Sequence, residues 1–557
     1  MTKEEIITAC KGLQDMWYER NNQFKDWYNI LLLEDTLKQE GLESIVSNEP
    51  RTFFNLALQL LISGKISHRF PVDGFGDAEL TAATKTSEFI TSCWSRHNKS
   101  NLRKGRVPWM SELIGFLLAT GWYSVFSVVT EDEVLADVWN PAEVFPEYDE
   151  DGIIQVAHIY QLSAKAANRK IRTKGWKVSQ PFTAGITVYN YWTITDEGNV
   201  MQALVMGNEL VFQKNEPTLS RIPVYCAPVG GLPDRGSIIT GSSWKRHIGE
   251  SLFASNVGIY EYYNKQLTFL QQLLRDIAQP RWWEKSRTGG ILKEENMFKR
   301  GAVFSMGLDE NIGILPTSQI PIESRTLIMD TQNMMQKGSF PSALYGNLQQ
   351  QTSSYLMSQI TGSALSILKP YHEAVGFLIQ EVDNNQLADI RKYNLQPYNF
   401  KLPKDLPPDI EIEVHYKIEI PGDVMQRANV AKMLNPQFTL STATISDLFF
   451  PEISNPMAEQ ARANRDRALQ HPIYLNLALL QALRNTANSL RHQGDDTTAI
   501  LYDKAAAQIE AALAPVQQTQ VQTAPRMPPI AISQEMATEL PTIEEGLEGG
   551  GGVGRGR

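Results

Sequence analysis

The sequence predicts an α+β chain, mainly helical, and three observations predict it. From His247 to Ile277, the residues Phe253, Val257, Tyr260, Tyr263, Leu267, Leu270, Leu274 and Ile277 recur at steps of three and four, the spacing of one helix face. After about Ser353, a helical period carried by Leu356, Ile360, Ala364, Ile367, Tyr371, Val375, Leu378, Val382, Leu387 and Ile390 persists for about 40 residues, a helix of roughly 60 Å. Between Trp122 and Tyr225 the pattern changes to the alternation of strands.

Composition narrows the class. At 557 residues the chain is long enough for several domains. Its 42% hydrophobic and 20% charged residues are those of an ordinary globular protein. A net charge of −10 argues against a protein that grips nucleic acid over a broad basic surface. The 3 cysteines, Cys10, Cys93 and Cys226, are odd in number and far apart, which favours a reducing compartment with no disulfide framework and no thiolate metal site. The N-terminus lacks the apolar core of a signal peptide, and no apolar run approaches the ~18 residues of a membrane span. The expectation is a soluble chain, intracellular when made, with no membrane partner.

Residues 1–120 read as mostly helical. Lys11 to Leu33 carries Met16, Trp17, Phe24, Trp27, Tyr28 and Leu31 in one helical run. Asn48-Glu49-Pro50 is a helix start ahead of the apolar run Phe53–Ile62, and Ser63-Gly64 ends it. A further helix is predicted from Thr81 to about His97, and another from Glu112 to Ala119. The cluster Arg96, His97, Lys99, Arg103, Lys104 and Arg106, with Trp94 and Trp109 nearby, has two readings. It is a solvated loop between helices, or a nucleic-acid site that combines basic charge with stacking aromatics.

Val125–Val129 and Val134–Trp139 read as a hairpin, and Ile153–Leu162, Val188–Thr195 and Val200–Met206 as further strands. Asp151-Gly152 and Glu197-Gly198 supply turns. Glu147, Asp149, Asp151 and Gly152 mimic the start of a calcium loop. The position that should hold its bidentate glutamate is His158, however, so a surface hairpin turn is expected instead.

The first long helix stops before Gln279-Pro280, because proline disfavours a helical residue ahead of it. Arg281 to Pro321, punctuated by glycines, reads as a small β module. Ile322 to Lys337 is a second helix, with Gly338 as a left-handed C-cap. Gly338–Gln351 is a loop, and Pro370 inside the last long helix should kink it. Ile410–Ile420 alternates as a strand with one wet face. Residues 424–515 read as helices cut by prolines, clearest at Asn476–Leu490 and Thr498–Leu513. The stretch from Gln517 to Arg557 is too polar to fold.

Signatures of chemistry are missing. The chain has no phosphate-cradling G-x-x-x-x-G-K-[ST] and no G-x-S-x-G elbow. His372-Glu373 lacks the second imidazole of H-E-x-x-H, since Gly376 occupies its place. No catalytic residue, metal site or cofactor is nominated, and a structural role, not an enzymatic one, is expected.

The order helix, glycine-rich β insert, helix, loop, long helix resembles the portal proteins (head-to-tail connectors) of tailed bacteriophages. The tract with Asn48, Pro50, Gly64 and Lys65, the run Trp139–Gly152 with its two prolines and Asp-Gly turn, and Arg221-Ile222-Pro223-Val224 are similarly ordered. The resemblance covers about Lys11 to Asp423. It implies a wing at 1–240, a first stem helix at 241–280, a clip at 281–321 and a second stem helix at 322–337. A tunnel loop at 338–352, a long kinked wing helix with return strand at 353–425, a crown-like helical region at 426–515 and a disordered tail at 516–557 follow. It also implies a homo-oligomeric ring of twelve copies in the virion, assembled in the host cytoplasm. Double-stranded DNA would be packaged and ejected through the ring without sequence-specific contacts. Further partners implied are the terminase large subunit, head-completion, adaptor or tail proteins, and the major capsid and scaffold proteins. On that resemblance the tunnel loop is Lys337, Phe340, Ser342, Leu344, Tyr345, Gln349 and Gln350. The clip contacts are Trp282, Trp283, Lys285, Arg287, Lys299 and Arg300, and the ring interface of the stem is Tyr260, Tyr263, Leu267, Leu270 and Leu274. Two other classes stay open: a different helical virion or cellular assembly protein, and a metal-dependent nuclease built on scattered carboxylates.

Overall fold

The computed structural model describes residues 1–38, 43–71, 76–216, 219, 221–231, 249–278, 282–287, 305–315, 322–341, 354–418, 456–492 and 494–513, with a few single positions between 428 and 450. The fold is α+β and mainly helical, and it divides into two units, Met1–Ala461 and Arg462–Arg557. The stretch read as a disordered tail, residues 516–557, lies outside the described residues.

The first unit opens with α1 (Lys3–Met16) and α2 (Tyr18–Leu31). Thr2 and Glu5 close a reciprocal capping box on α1, satisfying two of its free N–H groups. The single helix read over Lys11–Leu33 is broken at Trp17, whose indole donates to Pro146 O at 2.7 Å and packs edge-on against Trp122. Anchoring of that ring to distant strands overrides the local helical period. α3 (Glu49–Ile62) starts where Asn48-Glu49-Pro50 predicts and hands over to β1 (Lys65–Arg69). Gly64 at this junction faces the Tyr416 ring, 2.4 Å from where a Cβ would stand. α4 (Asp77–Arg103) is longer at both ends than its sequence reading, and α5 (Trp109–Thr120) ends at left-handed Gly121.

β2 (Trp122–Val129) and β3 (Val134–Val138) form the expected hairpin. β4 (Val144–Tyr148) and β5 (Ile153–Leu162) flank the Asp-Gly turn, where Asp149 Oδ1 accepts from the N–H groups of Asp151 and Gly152. This is the hairpin turn expected, and the backbone itself occupies the Asp149 carboxylate. An element without a counterpart in the sequence reading follows: α6 (Ala164–Lys174), N-capped by Ser163 and ended by left-handed Gly175. Both caps are legible in retrospect. β6 (Ile186–Ile194), β7 (Val200–Met206) and β8 (Glu209–Glu216) complete an antiparallel sheet ordered β4-β5-β6-β7-β8. β9 (Val224–Pro228) pairs with β2 to give the three-stranded sheet β3-β2-β9.

α7 is Val257–Ala278. The helix expected from His247 therefore begins ten residues late. Residues 249–252 are instead pulled onto the core, with Glu250 N donating to Val229 O and Leu252 N to Leu118 O. The β insert contributes β10 (Trp282–Lys285) and β11 (Asn311–Ile314), which pair antiparallel. α8 (Ile322–Lys337) has the predicted bounds, and α9 (Ser354–Tyr393) runs for 40 residues, unbroken through Pro370. β12 (Glu413–Lys417) pairs with β1, so the return strand closes on the N-terminal region.

α9 is held along its inner half by polar as well as apolar contacts. Fully buried Asp383 accepts from Trp94 Nε1 at 2.9 Å and faces His68 Nδ1 at 2.8 Å. Burial raises the Asp383 carboxyl above its ordinary value, and the His68 partner counters this. Asn384 clamps both backbone groups of Ile412. The main core joins Phe24, Phe53, Leu117 and Trp122 to Phe253, Tyr260, Val375 and Leu378. The N-terminal helices, the three-stranded sheet, the base of α7 and α9 thus share one apolar interior.

α10 (Pro456–Gln470) passes from the first unit to the second. The second unit holds α11 (Pro472–His492) and α12 (Asp496–Leu513), turning at Gly494 (φ +86°). Arg484 pairs with Glu510 at 2.5 Å and Arg491 with Asp503, an antiparallel register. Ala487, Ala499 and Ala506 are buried, small residues that let the two backbones approach closely.

Candidate assembly surface

α7 and α8 stand side by side, and their shared base is fixed by polar contacts. Asn256 Nδ2 donates to Met335 O at 2.9 Å, and Gln332 Nε2 donates to the Tyr263 hydroxyl at 2.6 Å. Gly338 is not the left-handed cap expected. A Cβ there would stand 2.2 Å from Asn256 Oδ1, so this glycine serves a close approach.

The apolar face of α7 divides along its length. Tyr260 and Tyr263 are buried in the subunit's own core. Leu267 is half-buried against that core, and Leu270 is half-buried. Beyond this point the core ends, and Phe269 (69% exposed), Leu274 and Ile277 face solvent. On α8 the same is true of Leu327, Met329 (63% exposed) and Met334. Two helices of about 33 and 24 Å thus carry large apolar side chains with no cover from the described residues. Scattered apolar exposure is normal, whereas here it runs along both members of one helix pair.

A third strip of chain lies along α7 and was not legible as such. Ile45 N donates to Thr268 Oγ1, Ser47 N to Asn264 Oδ1, and Gln272 Nε2 to Glu43 O. Arg275 lies 3.7 Å from Glu43. Residues 43–47 therefore occupy one polar side of the helix, leaving the apolar sides bare. The only hint in the sequence is the Ile45-Val46 pair inside a linker.

At the tip, Trp282 is half-buried and Trp283 exposed, and the Trp283 indole lies over Gly313. Lys285 and Arg287 are exposed beside them. Glu310 accepts from Ser286 Oγ and Gly307 N, tying the far ends of the hairpin together. Lys299 and Arg300 lie outside the described residues.

Lys337 is exposed at the end of α8, but Phe340 is 0% exposed and stacks edge-on against Phe53 at 4.8 Å. Its assignment to a channel lining is corrected: the ring plugs the core and anchors the start of the loop. Ser342, Leu344, Tyr345, Gln349 and Gln350 lie outside the described residues.

The basic cluster on α4 separates. Arg96 lies over the Tyr398 ring at 4.2 Å, and Trp109 is buried. Burial holds the His97 imidazole below its ordinary value. The aromatics needed for base stacking are thus engaged within the fold, while residues 102–108 are exposed. Among the described residues no group of three His, Cys, Asp or Glu is placed to hold a metal ion, and no helix is long and apolar enough to cross a membrane.

No protein-family model matches the chain, and no curated protein matches it. Among solved structures it is similar to a chain in the neck of an empty gene transfer agent (GTA) particle computed with C6 symmetry. That match has 12% identity and a TM-score of 0.40, over 72% of this chain and 90% of the other. A chain in the virion of a native GTA particle matches at 12% identity and TM-score 0.39, over 72% and 89%. One in the neck of a native GTA particle computed with C12 symmetry matches at 12% and 0.33, over 66% and 89%.

Proposed function

We propose that the chain is a structural subunit of a virion head-to-tail connector, a portal protein whose copies close into a ring. The observation that carries this reading is the helix pair α7 and α8. It is rooted in the core at Tyr260 and Met335, bare of cover beyond Leu267, and tipped by the β10–β11 hairpin. A helix pair with apolar side chains on its outer sides is covered when it packs against identical pairs. A head-to-tail contact of that kind generates a closed ring when the rotation closes. The sequence motifs that resemble portal proteins, and the 40-residue helix that follows, support the same reading.

In this reading α7 and α8 line a passage for double-stranded DNA in a ring of twelve copies. The net charge of −10 suits a passage in which DNA slides, since contact through many Lys or Arg would release counterions and hold it. The tip with Trp283, Lys285 and Arg287 docks the packaging motor and the adaptor or tail proteins, and the sheets face capsid and scaffold. Electron microscopy of the purified chain tests the reading. Rings with a central hole are expected, and rods, filaments or single subunits at every concentration would overturn it.

A further inference from the structure

The exposed turn between α4 and α5 and an acidic hollow beside α7 are complementary in charge and in apolar content. Residues 102–108 are exposed throughout, and they place Leu102 (58% exposed) and Val107 (53% exposed) among Arg103, Lys104 and Arg106. Gly105 takes φ +71° at the centre, with open space around its Cα. The turn is a projecting knob, apolar and basic.

The hollow has a volume of about 370 Å³ and lies between the end of α2, residues 46–50 and the first turns of α7. Its apolar wall includes Ile30, Leu33, Val46 and Val257, and every charged residue lining it is acidic: Asp26, Glu34 and Glu261. The space equals about a dozen waters, enough for an aliphatic side chain carried on a turn. Leu33 is the left-handed residue (φ +58°) that closes α2, with Leu33 N donating to Ile30 O and Glu34 N to Asn29 O, and its side chain forms part of the wall.

No residue of the turn lines the hollow of its own copy. We propose that the basic turn of one copy docks in the acidic hollow of the next, a head-to-tail contact that sets the direction in which copies add. The proposal rests on the ring reading above and gives that ring a second interface, outside the α7–α8 face. A basic knob on a chain of net charge −10 also avoids the repulsion that copies approaching through two acidic surfaces would meet.

Charge reversal tests it with the full chain. Arg103→Glu with Lys104→Glu reverses the turn, and Asp26→Lys with Glu34→Lys reverses the hollow. Arg106 and Glu261 are left alone because they pair with Asp137 and Lys265 inside the subunit. All four changed residues are exposed, and circular dichroism of each variant against wild type is the check on folding. Sedimentation velocity at low salt is expected to show association weakened about tenfold or more in either double variant. It should be restored when all four changes are combined in one chain. Rings that form equally well in each double variant would overturn the docking and leave the ring reading standing. A wild-type chain that never associates would overturn both. The turn variant is also titrated with a short DNA duplex. Loss of duplex binding with association unchanged would overturn the proposal and assign the turn to nucleic acid.

Discussion

Phe340 shows how a single ring redirects the reading of its surroundings. It sits at the foot of the stretch expected to face DNA, yet it is fully buried edge-on to Phe53, beside the close approach of Gly338 and Asn256. Phe340→Ala removes that packing and is expected to destabilise the first unit by about 3–5 kcal/mol, read from urea denaturation. A change under about 1 kcal/mol would place the ring outside the core. Arg20 teaches the same lesson from the polar side. Its guanidinium is buried among Trp17, Trp122 and Phe145 and donates to Val144 O at 2.8 Å. Burial lowers its pKa to about 10, so it stays charged at neutral pH. It ties α2 to the start of β4 and takes no part in any exposed basic surface.

At the scale of elements, α7 is one helix with two environments. Its first three turns belong to the core, and its last turns carry exposed Phe269, Leu274 and Ile277. Two substitutions of the same kind therefore have different outcomes. Leu267→Asp buries a charge against the core and should lower the stability of the subunit by several kcal/mol. Leu274→Asp, at an exposed site, should leave the subunit's urea midpoint nearly unchanged, within about 0.5 kcal/mol, while shrinking the particles seen by light scattering. Equal particle size for Leu274→Asp and wild type would remove this face from the assembly contact. The hairpin at the tip follows a different logic. Gly313 has no room for a side chain because the Trp283 ring covers it, so the tip's exposed aromatic is held in place by its own partner strand.

At the scale of the molecule, acid should loosen the first unit. Burial holds the His97, His158 and His372 imidazoles below their ordinary 6.5. The unfolded chain therefore takes up protons near pH 6.5 before the folded one does. The stability these neutral rings contribute is present above that pH and is lost as pH falls through their lower folded values. Asp383, raised above its ordinary 3.8 by burial, acts with the opposite sign at lower pH. The expected outcome is a lower urea midpoint at pH 5.5 than at pH 7.5, with a smaller drop in His158→Gln. A midpoint that stays level or rises on acidification would contradict it. How much of this molecule the sequence determined follows from what side-chain order can encode. The bounds of α8, β5 and β7, the start of α3 and the Asp-Gly turn are written in local period and in Gly, Pro and Asp placement, because backbone preferences act over a few residues. What only the tertiary structure decided is which apolar face finds cover. The same α7 stripe is core at Tyr263 and surface at Leu274, Trp17 breaks a helix to reach Pro146, and residues 43–47 lie along a helix far down the chain. A periodic pattern records that a face is apolar. Whether its own chain or another copy covers it depends on contacts between residues distant in sequence, which no local period contains.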